Sequence, residues 1–401
     1  MGRTFSRILA AVLMCSVLLL PCGSLVSLEA KAEGAEEEPV YMFNVIGDMQ
    51  LGMSNAYSEE NYKRALENIK SLSPESQLIL SVGDQTNHSR ESQYLALDTY
   101  KEQIVPDIPM YIAIGNHDRG YSEGYGENTG DPAVWKNRFI ESAKKNSGLD
   151  TIDNVYYSFQ KNGSYFIFLG SEVNSRNDNC NDVFISEEQF NWFKGQMEEA
   201  GKTGKPIFVV IHEPLYNTVS GSLPGQNWQG NPQDDGYYPD NKYGSLKEVL
   251  DQYPSAYLFT GHTHWEFKSD SPVVISDGST ANYINCSSVG YLWTDNNSGY
   301  IESGKYIGSE DLYVYVYKDK VVVKGRDLVN DKWVMEKTLP MIGVSAEAPE
   351  SNDGSDASSP ASEGNGETKP NNTLTIVLVC VAVAVVAAAA IIFAVLKFKK
   401  K

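Results

Sequence analysis

Five short apolar runs, each stopping at a polar, metal-capable residue, constrain this chain more than any other feature. Tyr41–Ile46 runs into Gly47-Asp48-Met49-Gln50, and Gln77–Val82 into Gly83-Asp84-Gln85-Thr86-Asn87. Met110–Ile114 runs into Gly115-Asn116-His117-Asp118, Pro206–Ile211 into His212-Glu213, and Ala256–Thr260 into Gly261-His262-Thr263-His264. Continuous apolar runs of this length read as strands buried on both faces. Helical patterns over Glu59–Ser71, Glu91–Gln103 and Ser186–Ala200 lie between them. Strand–helix alternation implies parallel pairing with right-handed crossovers, so neighbouring strands end at one shared edge. Ligands bind in the crevice outside such carboxyl ends. Five distant segments should therefore converge there, with the glycines before Asp48, Asp84, Asn116 and His262 permitting sharp turns and close approach.

The histidines sharpen the expectation. The chain has 5, and four of them (His117, His212, His262, His264) sit at these strand ends. His88 lies in a polar loop and reads as a bystander. Each signal alone is also the signature of a turn or a helix cap. Gly-His-Thr-His is harder to dismiss, because residues two apart in an extended segment point to the same side.

The ordered set resembles the calcineurin-like metallophosphoesterases. That family's pattern is Asp-x-His, Gly-Asp-x-x-Asp/Asn, Gly-Asn-His-Asp/Glu, a lone His, and Gly-His-x-His. Four blocks match in order; the first departs, with Gln50 where His is usual. Asn154–Gly170 resembles the family's next strand pair, Ile185–Trp192 its helix before the lone His, and Asp311–Gly325 its closing strands. The resemblance spans about 41–335 and implies an α/β fold, a four-layer αββα sandwich of two mixed sheets. It implies a phosphoesterase with two divalent or trivalent ions (Mn, Fe or Zn) that neutralise the phosphate's charge and activate a water. Asp84 would bridge the ions, with Asp48, Gln50 and His264 completing one site and Asn116, His212 and His262 the other. A Gln amide oxygen is a neutral, weaker donor than imidazole, and Gln50 in a water-holding or turn-capping role is the other reading. His117 would be the general acid, a task suited to an imidazole near neutrality. Asp118 would orient its ring; a plain turn residue is the alternative.

Three long polar stretches, Arg119–Pro132, Tyr216–Tyr243 and Tyr291–Ser309, should overhang the crevice. Loops this long in a compact domain are functional or disordered. Their aromatic residues Trp228, Tyr237, Tyr238 and Trp293 are the candidate substrate contacts.

The ends read as addresses. Residues 1–32 resemble a secretory signal peptide, with Arg3 and Arg7, an apolar run Ile8–Leu20, and Ala30-Lys31-Ala32 as a cleavage site. Residues 38–344 form the catalytic domain. Residues 345–373, rich in Ser, Glu, Asn, Gly and Pro, form a disordered stalk. Residues 374–396 carry no charge and would reach about 34 Å as a helix, enough for a ~30 Å hydrocarbon core. Residues 397–401, with four lysines, form a cytoplasmic tail that leaves the body outside the cytoplasm. Cys180 and Cys286 are the cysteines of the exported part; one disulfide or two free thiols both fit. A net charge of −19 argues against a nucleic-acid partner, whose backbone needs a basic surface. The expected partners are a phosphate ester and, through 374–396, a membrane. A catalytically weak scaffold acting as a surface binding module is the alternative function.

Overall fold

A computed structural model describes residues 37–119, 130–174, 183–226 and 243–341. In chain order the first strands are β1 (Tyr41–Ile46), β2 (Ile79–Ser81), β3 (Met110–Ile112), β4 (Tyr157–Lys161) and β5 (Ser164–Phe168). They are followed by β6 (Ile207–Val210), β7 (Ala256–Thr260), β8 (Val274–Ile275) and β9 (Asn282–Asn285). Two small hairpins come next, β10 (Trp293–Thr294) with β11 (Ser298–Gly299) and β12 (Ile301–Glu302) with β13 (Lys305–Tyr306). The last strands are β14 (Glu310–Val316), β15 (Lys320–Asp327) and β16 (Lys332–Pro340). The helices are α1 (Ser58–Leu72), α2 (Glu91–Ile104), α3 (Pro132–Ser147), α4 (Glu187–Gly201) and α5 (Leu246–Leu250).

Two mixed six-stranded sheets result, ordered β16-β15-β14-β1-β2-β3 and β4-β5-β6-β7-β9-β8. β1, β2 and β3 pair in parallel, as do β5, β6, β7 and β9. The alternation along β6 shows why its apolar run is unbroken. Phe208 and Val210 join the cluster that holds Phe43, whereas Ile207 and Val209 join Phe193 and Met197 of α4. β7 divides the same way, with Tyr257 and Phe259 on one side and Ala256 and Leu258 on the other. Each strand thus buries both faces, and alternation between apolar and polar residues would have been fatal. Between the sheets, Phe43 meets Phe166, Phe208 and Phe259 at ring-centroid distances of 5.8, 5.0 and 6.1 Å. Truncating a buried Phe of this kind costs about 3–5 kcal/mol.

α1, α2 and α3 bury Leu66, Leu97 and Phe139 in the cluster of β1–β3, while α4 and α5 cover the second sheet. The order is helix, sheet, sheet, helix. The parallel strands of both sheets end on one edge, which positions the site. Several elements had no counterpart in the sequence reading, among them β8, β9, α5, β16 and α3. Helix α3 starts where the polar stretch Arg119–Pro132 ends, and its signal was present. Asp131 caps it by accepting from Ala133 N–H, Pro132 fills its first turn, and Gly148 closes it with φ +74°. Among the described residues no helix is long and apolar enough to cross a membrane; residues 1–32 and 345–401 lie outside them.

Candidate metal centre

The chain turns abruptly where these strands end. Asp48, Gln50, Asp84, His262 and His264 all have positive φ, between +44° and +68°, a region an L-residue enters at a cost of about 1–2 kcal/mol. Strain of this kind persists only where the surroundings over-determine it, and it gathers at functional sites. The backbones also approach closely. A Cβ on Gly115 would lie 2.1 Å from Asp84 Oδ1, and one on Gly83 2.5 Å from His212 Nδ1.

The turns bring seven side chains together, all buried. His212 Nε2 lies 3.2 Å from Asp84 Oδ2 and 3.9 Å from Asp48 Oδ1. His264 Nε2 lies 3.1 Å from Asp48 Oδ1. Asn116 Oδ1 sits 3.1 Å from His212 Nε2 and 3.0 Å from His262 Nδ1. Gln50 Nε2 donates to Asp84 Oδ2 at 3.3 Å. Two groups have the spacing to hold a metal ion, Asp84 with His212 and His262, and Asp48 and Asp84 with His264. Asp84 belongs to both.

Backbone atoms orient these ligands. His212 Nδ1 faces Val82 O at 3.0 Å and His264 Nδ1 faces Tyr291 O at 3.1 Å. A carbonyl only accepts, so each Nδ1 carries a proton and Nε2 is the nitrogen that points at the centre. His262 N–H donates to Asp48 Oδ1 and Oδ2 at 3.0 and 3.1 Å, which locks that carboxylate. The residues fit cations on two grounds. Gln50 Oε1 is buried with no hydrogen-bond partner. Burial tends to raise the Asp84 carboxyl, yet the imidazoles of His212 and His117 hold it well below its usual range. His212 is correspondingly pushed up, its burial outweighed by Asp84 and Asp48. A proton on His212 thus supplies positive charge that a cation would supply instead.

His117 stands beside this group. Its N–H donates to Asp84 Oδ1 at 2.9 Å, its Nδ1 faces Asn87 O at 3.0 Å, and its Nε2 is 3.9 Å from Asp84 Oδ2. Asp118 does not orient that ring, contrary to the sequence expectation. His117–Arg119 form one turn of 3₁₀ helix, in which successive side chains point about 120° apart. Asp118 instead accepts from Gln85 N, Thr86 N, Thr86 Oγ1 and Gly115 N at 2.9–3.2 Å. It clamps the loop after β2 to the loop after β3, and the Asn87 carbonyl takes the role assigned to it.

His88 lies outside both ligand groups, with Nε2 2.9 Å from Asn87 Nδ2. Trp293 sits next to the centre, half-buried, its N–H donating to His264 O at 2.8 Å. Trp228, Tyr237 and Tyr238 lie outside the described residues, as does Cys180; Cys286 is buried and free. One pair escaped the sequence reading. Arg119 Nη2 meets Glu213 Oε1 at 3.0 Å with both side chains buried, joining the loop of His117 to that of His212. Partners 94 residues apart leave no local pattern to find.

The profile of the calcineurin-like phosphoesterase family matches residues 41–266, more than half of the 401-residue chain. Purple acid phosphatase 23 of Arabidopsis thaliana is 25% identical over 176 residues, covering 41% of this chain and 30% of that protein. The chain therefore spans less than a third of that relative's length. A dimetal phosphatase from Danio rerio superposes with a TM-score of 0.50 at 18% identity, over 76% of this chain and 100% of that one. A purple acid phosphatase from yellow lupin seeds gives a TM-score of 0.49 at 11% identity, over 79% of this chain and 57% of the other. At such identity the Danio rerio structure speaks to the fold.

Proposed function

Because this chain belongs to the calcineurin-like phosphoesterase family, we propose that it is a metal-dependent phosphoester hydrolase, exported and tethered to the membrane. One observation carries the reading: Asp84 is shared by two buried ligand groups at the ends of both sheets. In this reading Asp84 would be the ligand shared by two cations, with Asp48, Gln50 and His264 available to hold one and Asn116, His212 and His262 the other. Two ions of the Mn, Fe or Zn kind would neutralise the phosphoryl charge and activate a water when bound. The chain's own part is to aim donors and move a proton. Val82 O and Tyr291 O fix His212 and His264 with Nε2 inward. Asn87 O holds the proton on His117 Nδ1, so His117 Nε2 is the atom that carries a second proton and gives it to the leaving oxygen. In this reading Trp293, whose backbone N–H donates to His264 O, is the residue that contacts the ester's organic part.

Export rests on residues 1–32, and tethering on the 23 uncharged residues 374–396 followed by four lysines. Residues 345–373 would be the stalk and 397–401 the cytoplasmic tail. The substrate is a phosphate mono- or diester met outside the cytoplasm. The experiment is metal analysis of the purified full chain with turnover of p-nitrophenyl phosphate and bis-p-nitrophenyl phosphate. Two metals per chain and hydrolysis of either ester are expected; the ester preferred tells monoesterase from diesterase. A folded chain that takes up metal and hydrolyses neither would return the protein to the binding-module reading. For topology, protease added to wall-permeabilised cells should cut within 345–373 and release the body, and full protection would reverse the orientation.

A further inference from the structure

A cavity lies behind the wall of the metal centre. It has a volume of about 450 Å³ and opens between the start of α1, the hairpin β12–β13 and the end of β15. Leu292 lines it, while its neighbour Tyr291 faces the other way through the carbonyl that holds His264. Asn61 stitches that wall together, its Nδ2 donating to Gly290 O at 2.9 Å and to Gly308 O at 3.3 Å. The volume falls within the ~300–1,000 Å³ usual for small-molecule sites.

Its lining is apolar in part and strongly acidic. Tyr57, Tyr300, Leu292, Ile307 and Val329 supply the apolar surface. Carboxylates enter from every side: Glu60 from α1, Glu266 from the segment after His264, Glu302 from the hairpin, Glu310 from β14 and Asp327 from β15. Two cations face them, and both are engaged. Arg64 Nη1 donates to Asn61 Oδ1 at 2.8 Å, and Lys268 Nζ lies 3.7 Å from Asp327 Oδ2.

An acidic lining alone would mean little. Glu310 adds an independent observation, because it is only 2% exposed and still lines the cavity. The hydrogen bonds it accepts, from Phe267 N–H at 2.8 Å and Ser287 O–H at 2.7 Å, both end on Oε2. Oε1 is left for a ligand. A carboxylate in so buried a residue needs its second oxygen reached by water, by a donor or by a cation. The aromatic lining already receives an ammonium: Lys305 Nζ sits 4.4 Å from the centre of the Tyr57 ring.

We propose that this cavity binds a small primary amine with an apolar body, its ammonium received by Glu310 Oε1. Three ammonium hydrogens match a carboxylate oxygen flanked by further acids, and the body lies against the tyrosines and aliphatic side chains. Burial pushes the Glu310 carboxyl up to about 7, with Glu266 and Asp327 adding to the rise and its two hydrogen bonds opposing it. An amine stays charged well above that pH, so binding should strengthen as Glu310 ionises.

The test is titration calorimetry on the full chain with phenethylamine and, as its neutral counterpart, 2-phenylethanol. Phenethylamine should bind with a Kd on the order of 1 mM or tighter, and the alcohol at least about tenfold more weakly. Between pH 8 and pH 6 the amine's affinity should fall roughly tenfold as Glu310 takes up its proton. Glu310→Gln should weaken amine binding at least about tenfold and abolish this pH dependence. Val329→Trp, at a half-exposed position on the lining, should obstruct entry without touching Glu310. Equal affinity for amine and alcohol, or unchanged amine binding in Glu310→Gln, overturns the proposal. If Glu310→Gln does not fold, unchanged binding in Val329→Trp does the same. Binding is read without metal and without turnover, so the result is independent of the hydrolase reading.

Discussion

The two halves of the proposed metal centre are built differently, although they share Asp84. Asn116, His212 and His262 come from three strand ends in two sheets. The His212 ring is held by the carbonyl of Val82, one residue past the β2 end. Asp48, Gln50 and His264 rest on the loop after β9. Tyr291 O holds His264, while Gly290 N–H and Ser288 O–H donate to Asp48 O at 3.0 and 3.2 Å. The first half is braced by sheet backbone and offers two imidazoles. The second is braced by a loop and has a neutral amide where its family has an imidazole. The lesson is that sheet backbone fixes one part of the ligand set and a loop fixes the other. The second half should therefore hold its ion more weakly and lean toward oxygen-preferring Mn or Fe.

The change of largest effect joins the halves instead of dividing them. Asp84→Ala should remove both ions and all hydrolysis, since two cations would face each other without a shared anion; elemental analysis that still finds two metals per chain would break the scheme. His117→Ala comes next. It should keep both metals and lose about 10²–10⁴ in rate, less for p-nitrophenyl than for alkyl phosphates, because a good leaving group needs little protonation. Equal losses on both would remove His117 from that role. The asymmetry itself is tested by His212→Ala against Gln50→Ala. The first should leave one metal per chain, whereas the second should leave two, one of them bound roughly tenfold more weakly. Should both variants behave alike in metal titration, the halves are equivalent. The smallest effect is expected of Gln50→His, which should tighten one site severalfold, with activity kept and Zn better tolerated. If Gln50→His and Gln50→Ala are both silent, Gln50 is no ligand.

Much of this centre was legible in the sequence, for a definable reason. Strands buried on both faces must be short unbroken apolar runs, and a ligand at a strand end follows its run directly, as Asp84 follows Ile79–Ser81 and Gly83. The spacing of His262 and His264 likewise carried their shared direction. Asp118 was misjudged because adjacency in sequence says nothing about direction inside a 3₁₀ turn. α3 was passed over because it has no strand on its amino-terminal side to frame it, only a long polar stretch. The anchors were invisible for a different reason: Val82 O, Asn87 O and Tyr291 O are backbone atoms, which every residue type possesses.

The left-handed turns have a consequence for how such a chain can change over time. Five residues hold positive φ at the centre, and glycine at any of them would relax the backbone that L-residues strain. Selection for a sturdier fold alone would favour that exchange and erase Asp48, Gln50, Asp84, His262 and His264 one by one. Their presence in one chain marks a fold kept less comfortable than its own backbone would allow. A cation bound to the native state alone would offset part of that discomfort. Depletion of metal and drift toward glycine would then pull the same way, each removing the reason to keep the other's partner in place.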